Sequence, residues 1–241
     1  MENNKIKKLE ENGLSAFSNS DNFELAQRVA SMLSKSDLVP KEYKGNIANC
    51  IIALNISNRI GADPLMVMQN LDIIYGRPSW SSTFLISAIN SCGKYEPLRF
   101  ELKNKGIKNF KYTIYVGVGQ NRKALTKELE IEDKECFAWT RDKKGVKLEG
   151  TSVTTEMVLS EGWYDKEGSK WKTMYDLMIK YRSASFFSRL FCPEVTMGMQ
   201  TYEEVVDVVN DYPEEVKIEL IEEKKKDFKN KEGGTTQGTL L

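Results

Sequence analysis

The 241-residue chain contains no histidine. That absence removes the Ser-His-Asp and Cys-His arrangements, the usual general base near neutral pH and the commonest metal ligand. Carboxylate chemistry with Mg²⁺ survives the exclusion. There is no G-x-x-x-x-G-K-[ST] loop and no G-x-G-x-x-G, so neither ATP hydrolysis nor dinucleotide binding is indicated. No apolar run approaches the roughly eighteen residues needed to span a bilayer. The opening MENNKIKKLEENG lacks an apolar h-region, and a cytoplasmic protein is expected. The four cysteines (Cys50, Cys92, Cys136, Cys192) show no C-x-x-C spacing and read as reduced, mostly buried thiols.

Charge is balanced in sum but not in place. Tyr202 to Glu223 carries nine acids against Lys217, residues 224–241 carry a net +3, and 1–201 sum to +5. A mildly basic body ahead of an acidic segment hints at a polyanionic partner. With 40% hydrophobic and 29% charged residues, the composition is that of an ordinary globular protein.

The pattern predicts an α+β fold. Helical spacing marks 23–34 and 44–60, the latter stopped by Gly61, and Pro64 opens a short helix. LDIIY (71–75) is strand-like and punctuated by GRP at 76–78; 81–93 is a further helix. Strands are expected at 95–103 and 109–118 around a turn at NKG, and at 134–142 before a hairpin. A short helix follows at 154–162. Thr173 and Asp176 have capping-box spacing ahead of a long helix at about 174–191 that Pro193 ends. The expected architecture is a small antiparallel sheet of about three main strands plus a short hairpin, packed on that long helix beside an N-terminal helical lobe. Residues 1–22 read as a flexible N-terminus, 23–212 as one domain and 213–241 as a disordered charged tail.

Within the long helix, KYRSASFFSRLF (180–191) interleaves cations with aromatics. Met174, Leu177, Met178, Tyr181, Ala184, Ser185, Ser188 and Phe191 share one face, while Arg182, Phe186 and Arg189 form a separate stripe with Lys180 and Phe187 nearby. Two readings stand: core phenylalanines with solvated arginines, or a basic edge that touches phosphates with an aromatic beside it. Helix geometry does not choose between them.

Two stretches, IGADPLMVMQNLDIIYGRPSWSSTFLISAINSCGKYE (60–96) and KYRSASFFSRLFCPEVTMGMQTYEEVVD (180–207), resemble the RecT family of phage-type single-strand DNA annealing proteins. The matching features are a helix ending in G-x-D-P, Gln69–Asn70, Gly76-Arg77-Pro78, Gly93-Lys94-Tyr95 and Tyr-Arg-x-Ala at 181–184. Phe187, Arg189, Pro193, Gly198, Glu203-Glu204 and Asp207 follow in order. The resemblance implies an ATP-independent recombinase that coats single-stranded DNA, pairs it with a complementary strand and holds the duplex in rings or helical filaments. It needs no cofactor. Implied partners are single-stranded DNA, annealed duplex, further copies of the chain, and a cognate exonuclease and host single-strand-binding protein docking on the C-terminal region. The acidic 202–223 segment has a second reading, as a DNA mimic folded back on a basic groove.

Annealing requires neutralised backbones and exposed base edges. Candidate phosphate contacts are Arg77, Lys94, Lys111, Lys170, Lys172, Lys180, Arg182 and Arg189, the last two foremost because the resemblance places basic residues there. Lys103, Lys105 and Lys108 read equally as solvated turn charges. Tyr75 and Phe186 lie close to candidate cations. Trp80, Trp139, Trp163 and Trp171 are stacking candidates in principle, although most tryptophans are core. Gln69 and Asn70 either touch sugar-phosphate or cap the junction. An enzyme alternative, an Mg²⁺-dependent nuclease, would draw on Glu128, Glu130, Glu132, Asp133 and Glu135, which otherwise read as a solvated connector.

Overall fold

A short polar side chain starts each of the first four helices. Asn19, Asn46, Asp63 and Ser81 each accept a hydrogen bond from the backbone N–H three residues on, satisfying donors that a helix start leaves open. The computed structural model describes residues 17–74, 76–116 and 123–209. In it these caps open α1 (Ser20–Leu33), α2 (Ile47–Ile60), α3 (Pro64–Asn70) and α4 (Ser82–Ser91). Gly61 ends α2 in the left-handed conformation at φ 67°, and Pro64 opens α3, both as the sequence indicates. The first helix begins before the expected boundary at residue 23, and the 213–241 tail falls outside the described residues.

Between α3 and α4, β1 (Leu71–Ile74) and β2 (Arg77–Trp80) pair antiparallel, so GRP opens a second strand rather than ending the first. Tyr43, Cys50, Leu54, Met68, Leu71, Trp80 and Phe84 close the core of this lobe.

The main sheet differs from expectation in one respect. The NKG segment is not a turn but a bulge inside one continuous strand, β3 (Arg99–Val116). β4 (Lys123–Arg141) pairs with it antiparallel from Val116↔Lys123 to Arg99↔Trp139, so the supposed acidic connector is strand. Two short strands, β5 (Lys147–Glu149) and β6 (Val153–Thr154), flank β4 near its end. The α+β class with a small antiparallel sheet on a long helix is as expected; the sheet is two long strands and two short ones.

α5 (Thr155–Ser160), capped by Thr154, leads through a turn-rich connection to α6 (Tyr175–Phe191). The capping box at α6 does not form: Met174 precedes the helix without a side-chain cap, and Asp176 accepts a hydrogen bond from Lys134 of β4 at 2.7 Å. α6 packs on the even-numbered face of the sheet. Ser183 donates to the Cys136 carbonyl at 3.0 Å, and Phe187 joins Ala138, Leu98, Leu85 and Ile89 in one apolar cluster. Its buried face is therefore Met178, Ile179, Arg182, Ser183, Ala184, Ser185, Phe187 and Ser188, while Met174 and Leu177, expected in the core, are exposed.

Gly150 makes the approach of helix and sheet possible. A Cβ built there would lie 3.1 Å from the Phe187 Cβ and 3.3 Å from the Ala138 carbonyl oxygen, tighter than ordinary packing. Gly150→Ala is expected to cost about 1–3 kcal/mol of stability through overpacking, measured by urea unfolding. An unchanged midpoint would show that the helix shifts freely.

After α6 come α7 (Pro193–Thr196) and α8 (Tyr202–Val209), which returns to pack on β1 and β2. Trp80 ties the two regions together. Its backbone N–H donates to Gln200 O and its indole Nε1–H to Thr196 O, both at 3.0 Å. Cys50, Cys136 and Cys192 are buried free thiols; burial pushes the Cys192 thiol up to about 12. No helix among the described residues is long and apolar enough to cross a membrane.

Candidate nucleic-acid interface

Strand register decides which side chains share a face. On the stretch of sheet before the bulge, where the even-numbered residues turn toward α6, the odd-numbered residues of β3 (99–103), β4 (135–141) and β5 lie on the opposite side. Arg99 stands opposite Trp139, Glu101 opposite Phe137 and Lys103 opposite Glu135. On the other edge, Lys147 faces Arg141 and Glu149 faces Trp139. Phe137 and Trp139 belong to none of the apolar clusters of the described residues. They lie instead beneath cations. Arg99 is 5.8 Å and Lys147 4.8 Å from the Trp139 ring centroid; Lys103 and Lys147 are 5.5 and 5.7 Å from that of Phe137. Phe137 is itself buried, 9% exposed beneath these side chains, so the half-buried Trp139, with Arg99 and Lys147 beside it, is the ring that a ligand both flat and anionic would meet.

Carboxylates temper this face without cancelling it. Glu101 pairs with Lys103 at 3.1 Å, Glu149 with Lys147, and Glu135 with Lys105 at 2.8 Å. The hydrogen bond from Lys105 holds the Glu135 carboxyl below its ordinary range. Arg99 and Arg141 have no carboxylate partner among the described residues, and Arg141 donates to the Gly145 carbonyl. Flexible lysine stems over exposed carboxylates exchange partners at little cost, since surface pairs contribute about 0–1 kcal/mol each.

The arginine pair of α6 has a different role. Arg182 is 7% exposed, its guanidinium 3.9 Å from the Trp163 ring centroid. It points inward, and the expected surface stripe is not there. Glu204 of α8, 2% exposed, lies against Arg189 Nη2 at 2.5 Å and Arg182 Nη1 at 3.5 Å. Its Oε1 meets both as an ion pair without hydrogen-bond alignment, while Oε2 accepts from the Thr201 N–H at 3.0 Å. Arg189 is 45% exposed. Residues from the two ends of the 180–207 stretch thus meet in one buried cluster, which clamps α8 to α6.

Comparison with protein-family models, with curated proteins and with solved structures yields no match. The site rests on its own geometry.

The remaining candidates are distributed over several elements. Arg77 is exposed at the start of β2, and Lys170 and Lys172 are exposed between α5 and α6. Lys94 pairs with Glu194 at 2.5 Å, and Lys111 on distal β3 pairs with Glu128 at 3.5 Å. Lys180 and Phe186 are half-buried on α6, Phe186 against the cluster containing Trp163 and Trp171. Asn70 is a junction residue: its Nδ2 donates to Met66 O and its Oδ1 accepts from Ser81. Gln69 is exposed and donates to Leu38 O at 3.3 Å. Tyr75 lies outside the described residues. Trp80, Trp163 and Trp171 are buried, which leaves Trp139 alone of the four within reach of a ligand. Glu128, Glu130, Glu132, Asp133 and Glu135 are spread along one strand, β4. No group of three or more acidic or cysteine side chains among the described residues is placed to hold a metal ion.

Sequence reasoning missed Arg99, Phe137 and Lys147. They are far apart in the chain and become neighbours only through cross-strand register. The available signal was alternation: R-F-E-L-K at 99–103 and C-F-A-W-T at 136–140 each place an aromatic or a cation on the same side as the other's.

Proposed function

We propose that the protein binds single-stranded nucleic acid on the open face of its sheet and anneals complementary DNA strands without ATP, as an assembly of several copies, in homologous recombination. The observation that carries this reading is the half-buried Trp139 ring beside Arg99 and Lys147, with Lys103 on the same face above the buried Phe137. The cations neutralise phosphates and release counterions, while an aromatic face holds a base by stacking and leaves its pairing edge free. Recognition of this kind is indifferent to sequence. The resemblance of 60–96 and 180–207 to the RecT family supports the annealing step and the assembly.

Incubation with two labelled complementary oligonucleotides tests it: paired product is expected, shortened strands would identify a nuclease, and unchanged strands would overturn the reading. Binding is also expected to be steeply salt-dependent. Three phosphate contacts at a slope near −0.7 each give a log–log slope of about −2 per copy, or roughly 20-fold weaker binding between 50 and 200 mM salt. Fluorescence anisotropy across a salt series measures this, and a flat response would count against the interface.

A further inference from the structure

Lysines on the β3–β4 ribbon are mostly paired. Lys103, Lys105, Lys111, Lys127 and Lys134 each lie within 3.5 Å of a carboxylate, and Lys147 pairs with Glu149. The hairpin that joins β4 to β5 departs from this pattern. It reads Arg-Asp-Lys-Lys-Gly-Val-Lys over 141–147, and Arg141, Lys143 and Lys144 have no carboxylate partner among the described residues.

The one acid of the hairpin is taken up by the turn itself. Asp142 Oδ1 accepts from the Lys144 N–H at 2.8 Å and from the Val146 N–H at 2.9 Å, and the Asp142 carbonyl accepts from the Gly145 N–H at 2.9 Å. Gly145 at φ 81° supplies the left-handed residue that leads a type I turn back into the ladder. Arg141 braces the same turn by donating to the Gly145 carbonyl at 2.9 Å. Lys143 and Lys144 thus hold the two corner positions, both exposed. Neighbouring ammonium groups repel, so an anion laid against the tip relieves a strain in charge that the fold leaves open.

The hairpin is continuous with the uncovered sheet face. Arg141 and Lys147 stand opposite each other as the next pair on that face after Trp139 and Glu149. From Trp139 to Lys143 is four residues, about 13 Å at strand rise. The tip has no aromatic side chain, so it is suited to a phosphate backbone and not to a base.

We propose that this hairpin is a phosphate grip: a single strand stacked on Trp139 carries its backbone past Arg141 and Lys147 to Lys143 and Lys144. The inference rests on the nucleic-acid reading above and adds two contacts to it. The three cations counted there give a log–log salt slope of about −2 per copy, and five contacts give about −3.5.

Lys143→Gln with Lys144→Gln removes both charges without touching a hydrogen bond of the turn, and circular dichroism checks the fold. In anisotropy titrations with an oligothymidylate the slope is expected to fall by about 1.4, with binding roughly 25-fold weaker at 0.1 M salt. Lys143→Arg with Lys144→Arg is expected to keep the parent slope. Acetylation by an N-hydroxysuccinimide ester, with and without oligothymidylate, gives a second readout: Lys143 and Lys144 are expected to be protected, while Lys41 in the N-terminal lobe is not. An unchanged slope for the glutamine variant, or equal acetylation of both lysines with and without the strand, would overturn the grip. If Trp139→Ala still weakens binding in that case, the interface stands without the hairpin. A parent protein that binds no oligonucleotide would overturn both.

Discussion

Arg182→Ala is expected to lower the unfolding free energy by about 3–5 kcal/mol, because it takes the buried cation from the buried Glu204 and leaves the half-exposed Arg189 to hold that charge. The carboxylate is almost fully buried, and Arg189, half in solvent, is the one other cation shown against it. The substitution also removes a guanidinium packed on the Trp163 ring. With a urea m-value of about 2 kcal/mol/M, the midpoint moves down by about 1.5–2.5 M. Arg189→Ala should cost far less, about 1 kcal/mol, since its charge is partly solvated. Replacing Arg182 and Glu204 together by methionine and leucine should recover most of the loss, because no charge is then left buried. A midpoint for Arg182→Ala within about 0.5 M of the parent would show that the cluster does not hold α8 in place. An Arg182→Ala/Arg189→Ala variant is therefore a poor probe of DNA contact: lost annealing would report lost folding.

Trp139→Ala is expected to weaken binding of a single-stranded oligonucleotide by about 5- to 150-fold while leaving the fold in place. Loss of one base-stacking contact is worth about 1–3 kcal/mol, and Trp139 lies outside every apolar cluster of the described residues. Trp139→Phe should retain most of the affinity. Arg99→Glu with Lys147→Glu should reduce the salt slope by about 1.4, the amount for two lost phosphate contacts. Anisotropy titrations measure all three. Unchanged affinity for Trp139→Ala, together with an unchanged slope for the charge variant, would remove the sheet face from consideration.

The elements that the sequence made legible are those with local causes. The end of α2 at Gly61 and the start of α3 at Pro64 follow from backbone chemistry within a few residues, and the long helix ends at its expected limit, Phe191. Two misreadings came from features that local pattern does not encode. The bulge between Asn104 and Ile107 breaks the alternation of β3, and in β4 the apolar positions Leu129 and Ile131, which pack with Phe110 and Tyr112, are separated by acids, so 104–108 resembled a turn and 128–135 a connector. Arg182 looked like surface because charged residues are rarely buried without a partner, and its partner is more than twenty residues away on another helix. The candidate interface was half visible. Trp139 and Lys103 were on the list of possibilities, but nothing in one strand announces what register sets beside it.

The hydrogen bond from Trp80 to the Thr196 carbonyl joins positions 116 residues apart. During synthesis at about 5–20 residues per second, the indole would leave the ribosome roughly 6–23 s before its acceptor. For that interval the N-terminal lobe has its helices but lacks α8 across β1 and β2, and the apolar surface around Trp80 stays uncovered. The lobe is thus first in the chain yet among the last parts to be completed. Chaperones that bind nascent apolar segments would meet this protein at Trp80 and Phe84 rather than at its charged ribbon.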